Sequence, residues 1–137
     1  IEAAVRDAEI RHSGEIRFVI ENTLPLAHLW RGQTPRERAV ELFGRLGVWD
    51  TEANSGVLIY LLLVERDIEI VADRGIAARV AQARWEEIAR AMEAAFRSGE
   101  FERGACAGIA AVGELLAAHC PPRAHNPDEL PNRPVTL

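Results

Sequence analysis

The chain has 137 residues, 48% hydrophobic and 27% charged, with a formal net charge of −5 at pH 7, a length that fits one domain with a single buried core. The acidic balance argues against nucleic-acid binding, which usually needs a basic face, so we expect no nucleic-acid partner. No apolar run approaches the roughly 20 residues of a membrane-spanning helix, so no transmembrane segment is predicted.

Helix and strand patterns alternate in the first part of the chain. Apolar residues at helical spacing predict a helix over residues 1–12, and strict alternation predicts a strand over Glu15–Glu21. Residues 22–33 show no period and are predicted to form a loop. Thr34 is placed to cap a second helix, which Gly47 is placed to end. Because the chain begins at Ile1 and not at Met, we expect a trimmed N-terminus.

A hairpin is predicted in the middle of the chain. Val57–Val64 is an unbroken apolar run, typical of a strand buried on both faces, and residues 68–72 form a shorter alternating strand. The short turn between them makes the pair antiparallel. The strand–helix–strand order before the hairpin predicts that Glu15–Glu21 runs parallel to Val57–Val64 through a right-handed crossover.

Helices dominate the remaining sequence. The pattern predicts one helix from Gly75 to about Arg97 and a last helix from Phe101 to about His119, ended by two prolines. Both cysteines are predicted to be free thiols, because a continuous helix would hold them about 21 Å apart. The tryptophans are expected to be packing residues; they are Trp30, Trp49 and Trp85.

These elements define an α/β fold, with a small mixed β-sheet (a parallel crossover plus an antiparallel hairpin) sandwiched between α-helices. Helices must cover both faces of the sheet, because the central strand is apolar on both. We assign residues 1–120 to this α/β domain. Residues 121–137 form a proline-rich C-terminal tail, predicted to be extended.

Acidic and amide side chains converge at one predicted edge of the sheet. The loop before the central strand carries oxygen ligands at alternate positions, the second hairpin strand ends beside it, and the parallel first strand starts at the same edge. Carboxylate and amide oxygens are the ligands that Ca²⁺ or Mg²⁺ prefers. The predicted metal ligands are therefore Glu15, Asp50, Glu52, Asn54 and Asp73. The alternative is turn chemistry, in which the Asp and Asn side chains bond their own backbone.

Phosphoryl chemistry is a second candidate at this edge. A cation held by carboxylates could clamp a phosphate and orient water, and Arg74 could bind the phosphate oxygens in a bidentate way. The candidate catalytic residues are Asp50, Asp73 and Arg74. No nucleophile stands out beside them, and the alternative is an Asp73–Arg74 surface pair with no role.

Several short motifs resemble the TPM domain family, which is named for a thylakoid-lumen phosphatase, a photosystem II repair protein and a nematode receptor modulator. The resemblance covers roughly residues 1–120 and depends on the order and spacing of the motifs. These are Gly47-Val48, Asn54, Gly56–Ile59, Arg66–Ile70, Gly75-Ile76, Phe96–Phe101 and Gly104. This sequence departs from the family where Ser55 separates Asn54 from Gly56 and where Asp73-Arg74 replaces an aromatic residue.

The resemblance implies a sheet sandwiched by helix pairs, acidic residues in loops at one sheet edge, calcium binding in some members and acid phosphatase activity reported for plant members. It also implies a membrane-associated or envelope location and a membrane or envelope protein as partner. Three hypotheses follow. The first is a cation-binding interaction or accessory module, the second is a metal-dependent acid phosphatase of low activity, and the third is an accessory domain without a ligand.

Overall fold

The computed structural model describes residues 1–124 and 126–137. Within these ranges it contains six helices and one four-stranded sheet. The strands are β1 (Glu15–Glu21), β2 (Gly56–Leu62), β3 (Asp67–Ala72) and β4 (Val135–Thr136). The helices are α1 (Glu2–Glu9), α2 (Leu26–Trp30), α3 (Pro35–Arg45), α4 (Arg74–Ala77), α5 (Gln82–Arg97) and α6 (Phe101–His119).

The sheet has the strand order β3-β2-β1-β4. β1 runs parallel to β2, with Glu15 opposite Gly56, and β2 runs antiparallel to β3. The predicted parallel crossover and antiparallel hairpin are therefore confirmed. β4 adds a short parallel pairing on the other side of β1, so the end of the tail completes the sheet.

Two cores lie on the two faces of the sheet. Alternate residues of β2 divide between them because successive side chains point to opposite faces. One core contains Val57, Ile59 and Leu61 with residues of α1, α5 and α6. The other contains Leu58, Tyr60 and Leu62 with residues of α3. This burial on both faces explains why the whole of β2 is apolar.

A buried ion pair lies at the far end of the second core. The Glu21 carboxylate accepts hydrogen bonds from Arg38 Nε (3.0 Å) and Nη2 (2.9 Å), and from the Tyr60 hydroxyl (2.7 Å). Burial works against the Glu21 charge, but the bonds from Arg38 and Tyr60 outweigh it and lower the pKa of Glu21. Since each charge here has its partners, this network is structural.

The prediction of a single helix from Gly75 to about Arg97 is wrong in one respect, because the chain forms two helices there, α4 and α5. α4 ends at Ala77, and Ala81 is extended, with φ −62° and ψ 142°, before α5 begins. The buried residues explain the break. Ile76 and Val80 are four residues apart, but the next buried side chain, Trp85, is five further on. A continuous helix could not point all three at the core.

Other boundaries follow the sequence closely. β1 and α6 have the predicted limits, and the Thr34 hydroxyl caps α3 by accepting from Glu37 N (3.1 Å). α1 stops three residues before the predicted end. α2 lies within the stretch predicted to be a loop. Cys106 and Cys120 are free thiols. In the part of the chain described here, no helix is both long and apolar enough to cross a bilayer.

Candidate metal centre

Three carboxylates from distant parts of the chain meet at one end of the sheet. Glu9 is the last residue of α1, Glu15 is the first residue of β1, and Asp128 belongs to the tail. Each offers one oxygen, and the three oxygens lie within 4.8 Å of one another. We call these three residues the acidic cluster. Among residues 1–124 and 126–137 it is the one group of His, Cys, Asp and Glu side chains with this geometry.

Glu15 is the most buried member, with 3% of its surface exposed. Its Oε1 accepts a hydrogen bond from the Glu129 backbone N–H at 2.7 Å. Its Oε2 is also buried, and no described residue gives it a hydrogen bond. Buried polar atoms are nearly always satisfied in native proteins. An unpartnered carboxylate oxygen in a group of three carboxylates can therefore take either a cation or a proton shared with Glu9.

The connection between α1 and β1 holds Glu9 in place. Ser13-Gly14 interrupts the helical pattern, and Glu9 Oε1 reaches past this turn to accept from Ile16 N at 2.8 Å. Gly14 also needs to be small, since a Cβ there would lie 2.9 Å from Leu116 Cδ2 and 3.1 Å from the Ser55 carbonyl oxygen. The local sequence thus fixes the end of α1 against the start of β1.

The tail carries Asp128 to the site through contacts with the body of the domain. The Arg17 guanidinium donates to the carbonyl oxygens of Pro131 (2.8 Å) and Arg133 (2.7 Å). Asn126 Nδ2 donates to the His12 carbonyl oxygen at 2.9 Å. Together with the β4–β1 pairing, these bonds return the chain to the first strand. The predicted tail is thereby part of the site.

A cavity of about 210 Å³ opens beside the acidic cluster. Asn132 lies on its wall and donates from Nδ2 to Asp128 Oδ2 at 3.3 Å. The Asn132 Oδ1 atom is buried and, within the described ranges, has no hydrogen-bond partner. Arg6 lies on the same wall. The cavity therefore joins the acidic cluster and the Asn132 amide to solvent, with one cationic side chain nearby.

Burial and mutual repulsion disfavour three free negative charges here. Burial first, and then contact with Glu15, raises the pKa of Glu9 to about 9. Burial also raises the pKa of Glu15. Either a proton or a cation would relieve this charge. The donors are all oxygens, which matches hard cations such as Ca²⁺ and Mg²⁺ and does not match the nitrogen and sulfur ligands typical of zinc.

The structure joins only one of the five predicted metal ligands to this cluster, namely Glu15. Asp50 and Glu52 are exposed in the loop before β2. Glu52 N donates to Glu129 Oε2 (2.9 Å), so the loop lies at the same end of the sheet as Glu15 and shares a neighbour with it. Asp50, Glu52 and Asp73 are not in the acidic cluster, and a metal role for them stays a prediction.

The other candidates at this edge have local backbone roles. Asn54 adopts a left-handed conformation with φ 52°, and its carbonyl oxygen accepts from Gly75 N at 3.0 Å. Asp73 caps α4, with Oδ1 accepting from Arg74 N at 2.7 Å, while its Oδ2 is buried and has no hydrogen-bond partner among the described residues. The Arg74 side chain is exposed. These contacts fit the turn chemistry that was the alternative for the loop, and a catalytic role for Asp50, Asp73 and Arg74 stays a prediction.

Sequence reasoning missed Glu9 and Asp128. Glu9 lies among the charged residues of an amphipathic helix, where nothing distinguishes it from its solvated neighbours. Asp128 lies in the tail, where no period predicts a position. One signal was available for Glu9: it precedes the helix-ending Ser13-Gly14 by only a few residues, so it had to lie near Glu15.

The fold and the site define a class: an α/β sandwich domain with a carboxylate-lined cavity at the edge where its parallel strands begin. The family model of the TPM domain matches residues 1–115. The chain therefore belongs to the TPM domain family, as its motifs predicted. The search among curated proteins finds no match.

Several solved structures are similar to this chain, and two of them cover at least 90% of it. The NMR structure of BA42 protein from the psychrophilic bacterium Bizionia argentinensis is 32% identical, with a TM-score of 0.86, over 99% of this chain and 89% of that one. The N-terminal domain of a protein from P. gingivalis is 22% identical, with a TM-score of 0.67, over 90% and 76% of the two chains. The first match supports the family relationship, and the second shows the fold alone.

Proposed function

We propose that this TPM domain is a cation-binding interaction or accessory module of the membrane or envelope, and that Glu9, Glu15 and Asp128 hold the cation. The observation that carries the proposal is the buried Glu15 Oε2, which has no hydrogen-bond partner among the described residues and belongs to a carboxylate that lies close to two others. A divalent cation would satisfy that atom and offset the repulsion within the acidic cluster.

The donor set favours Ca²⁺ over Mg²⁺. Ca²⁺ takes six to eight oxygen ligands in flexible arrangements, whereas Mg²⁺ is usually bound by one or two carboxylates and keeps several waters. Three carboxylates and the Asn132 amide oxygen supply four ligand groups. The cavity leaves room for water at the remaining positions.

Binding at this site would link three separate parts of the chain. Glu9 belongs to α1, Glu15 to β1 and Asp128 to the tail. A cation would therefore fasten the tail to the domain, and any surface that the tail forms would depend on it. The resemblance implies a membrane or envelope protein as the partner that would bind such a surface.

The test is thermal unfolding of metal-stripped protein titrated with Ca²⁺ and, separately, with Mg²⁺. A ligand that binds only the folded state stabilises it by about 2.7 kcal/mol at a hundredfold excess over its dissociation constant. We expect a saturable rise in Tm that Asp128→Asn abolishes and Asp50→Asn leaves intact. If Asp50→Asn abolishes it and Asp128→Asn does not, the loop before β2 is the site. No rise with either ion refutes the proposal.

A metal-dependent acid phosphatase of low activity is the second candidate. The observation that favours it is Arg6, whose position on the wall of the carboxylate cavity would allow it to bind phosphate oxygens. Hydrolysis of p-nitrophenyl phosphate tests it. Cation-dependent turnover that is lost in both Arg6→Gln and Asp128→Asn supports the phosphatase. Cation binding without turnover would favour the interaction module over the phosphatase.

A further inference from the structure

The end of the sheet opposite the acidic cluster carries a group of exposed apolar side chains. Three of them belong to α2 and two to the turn between β2 and β3. Val64 N donates to the Asn22 carbonyl oxygen at 3.0 Å, which fixes this turn beside the segment that leads into α2. We call this surface the apolar end patch; its residues are Leu26, Leu29, Trp30, Leu63 and Val64.

Exposure in the apolar end patch is high for such large side chains. Trp30 is 83% exposed, Leu26 71% and Val64 64%. α2 has no buried residue at all, so the helix stands on the surface and its apolar side chains add nothing to either core. Trp30 was expected to be a packing residue, and that expectation is wrong. Scattered exposed leucines are ordinary, but a grouped set with a protruding tryptophan marks an interaction surface.

Size and charge indicate what the patch contacts. A stable protein–protein interface needs roughly 800 Å² and 20–30 residues on each side, and one five-residue helix plus one turn is much smaller. Insertion into a bilayer needs no matched partner surface, because each side chain gains by its own apolar area. Tryptophan prefers the membrane–water interface. Arg31 directly follows Trp30, and Arg66 follows Val64 after one acidic residue, Glu65. All three charged side chains are exposed, and the two arginines suit anionic headgroups.

We propose that the apolar end patch docks on a lipid bilayer, with Trp30 and Leu26 entering the interface and Arg31 and Arg66 meeting the headgroups. The net charge of −5 opposes approach to an anionic surface, so the apolar side chains must supply most of the affinity. The proposal deepens the membrane role given above by naming lipid as the contact. It does not need the cation site, which lies at the other end of the sheet.

The test is co-sedimentation with phosphatidylcholine vesicles, with and without phosphatidylglycerol, in the presence of chelator. Tryptophan fluorescence quenching by brominated acyl chains is followed in the same samples. Trp30→Ala is compared with Trp49→Ala, because Trp49 is also exposed but precedes the loop at the opposite end of the sheet. Trp85 is buried and gives a constant background.

We expect quenching in the wild type and in Trp49→Ala. Trp30→Ala should lose the quenching and weaken partitioning by about tenfold or more, as the removal of one large apolar side chain from the interface predicts. Leu26→Ser should weaken partitioning in the same direction, with an unchanged circular dichroism spectrum. Absence of binding to either vesicle, or equal binding by Trp30→Ala, overturns the proposal. Self-association that Trp30→Ala abolishes would also overturn it, by making a second copy the partner.

Discussion

Replacing Glu15 by Gln should stabilise the cation-free protein and remove its response to cation. The variant keeps the oxygen that accepts from Glu129 N and places an amide nitrogen where the unpartnered Oε2 lies. That nitrogen can donate to the carboxylate of Glu9 or Asp128. The substitution thus turns a buried acceptor without a partner into a donor with two candidate acceptors nearby.

The magnitude follows from the cost of leaving such an atom unsatisfied, about 1–3 kcal/mol. For a domain of this size, 1 kcal/mol moves Tm by roughly 4 °C. In chelator at a pH above about 9, where Glu9 has lost its proton, Glu15→Gln should therefore melt about 4–12 °C above the wild type. At a hundredfold excess of Ca²⁺ over its dissociation constant, the wild type should gain about 2.7 kcal/mol, and the variant should gain little.

Differential scanning calorimetry of the two proteins, with chelator and with Ca²⁺, measures both effects. Asp50→Asn is the matched control, because Asp50 is an exposed carboxylate outside the acidic cluster, and it should behave as the wild type in both conditions. If Glu15→Gln melts below the wild type in chelator, or keeps the full Ca²⁺ response, the interpretation of Glu15 as a cation ligand is refuted.

Three further predictions concern stability. Burial lowers the pKa of His12 from 6.5 to about 4, so the wild type should lose up to about 3 kcal/mol more stability than His12→Gln as pH falls through this window. The opposite slope from the raised pKa values of Glu9 and Glu15 is common to both proteins. Equal slopes for the two proteins in acid titration would contradict this. Gly56→Ala should lower the free energy of unfolding in urea by about 3 kcal/mol, because its Cβ would overlap the Val48 carbonyl oxygen. Gly44→Ala, with open space around its Cβ, should raise the free energy of unfolding by about 0.5–1 kcal/mol. Similar values for the two variants would refute the packing argument. Arg38→Met should lower the free energy of unfolding by about 3–5 kcal/mol, because it leaves the Glu21 charge buried without its partner. The loss should be smaller in the double variant that also carries Glu21→Leu. A loss below about 1 kcal/mol would show that water reaches the Glu21 carboxylate.

Local periodicity predicted those parts of the fold whose burial is regular. α6 has its predicted limits because its apolar face packs into one core. β1 has its predicted limits because its alternate residues pack into the two cores, with Ile16 and Phe18 in one and Val19 in the other. The α4–α5 break was missed because it arises from where the chain must turn to cover the sheet. No glycine or proline lies between Ala77 and Gln82 to mark it. The only sign of the break in the sequence is the five-residue spacing from Val80 to Trp85.

Only one residue of the acidic cluster, Glu15, could be predicted from the sequence. Glu15 could be placed because the parallel register of β1 and β2 fixes which end of the sheet it occupies. Asp128 could not be placed, since its position depends on the tail returning to β1. The bonds that return it join Arg17 to carbonyl groups more than 100 residues away. The pattern of side chains in the sequence does not show which backbone carbonyl groups will accept these hydrogen bonds.

Isothermal titration calorimetry of the metal-stripped protein with Ca²⁺ tests the central claim most directly. The acidic cluster predicts one bound ion per chain, with binding lost in Asp128→Asn and kept in Asp50→Asn. Asp128 is exposed, so its substitution should leave the fold intact, which circular dichroism verifies on the same samples. Absence of binding by the wild type, or unchanged binding by Asp128→Asn, would contradict the assignment of Glu9, Glu15 and Asp128 as the cation site.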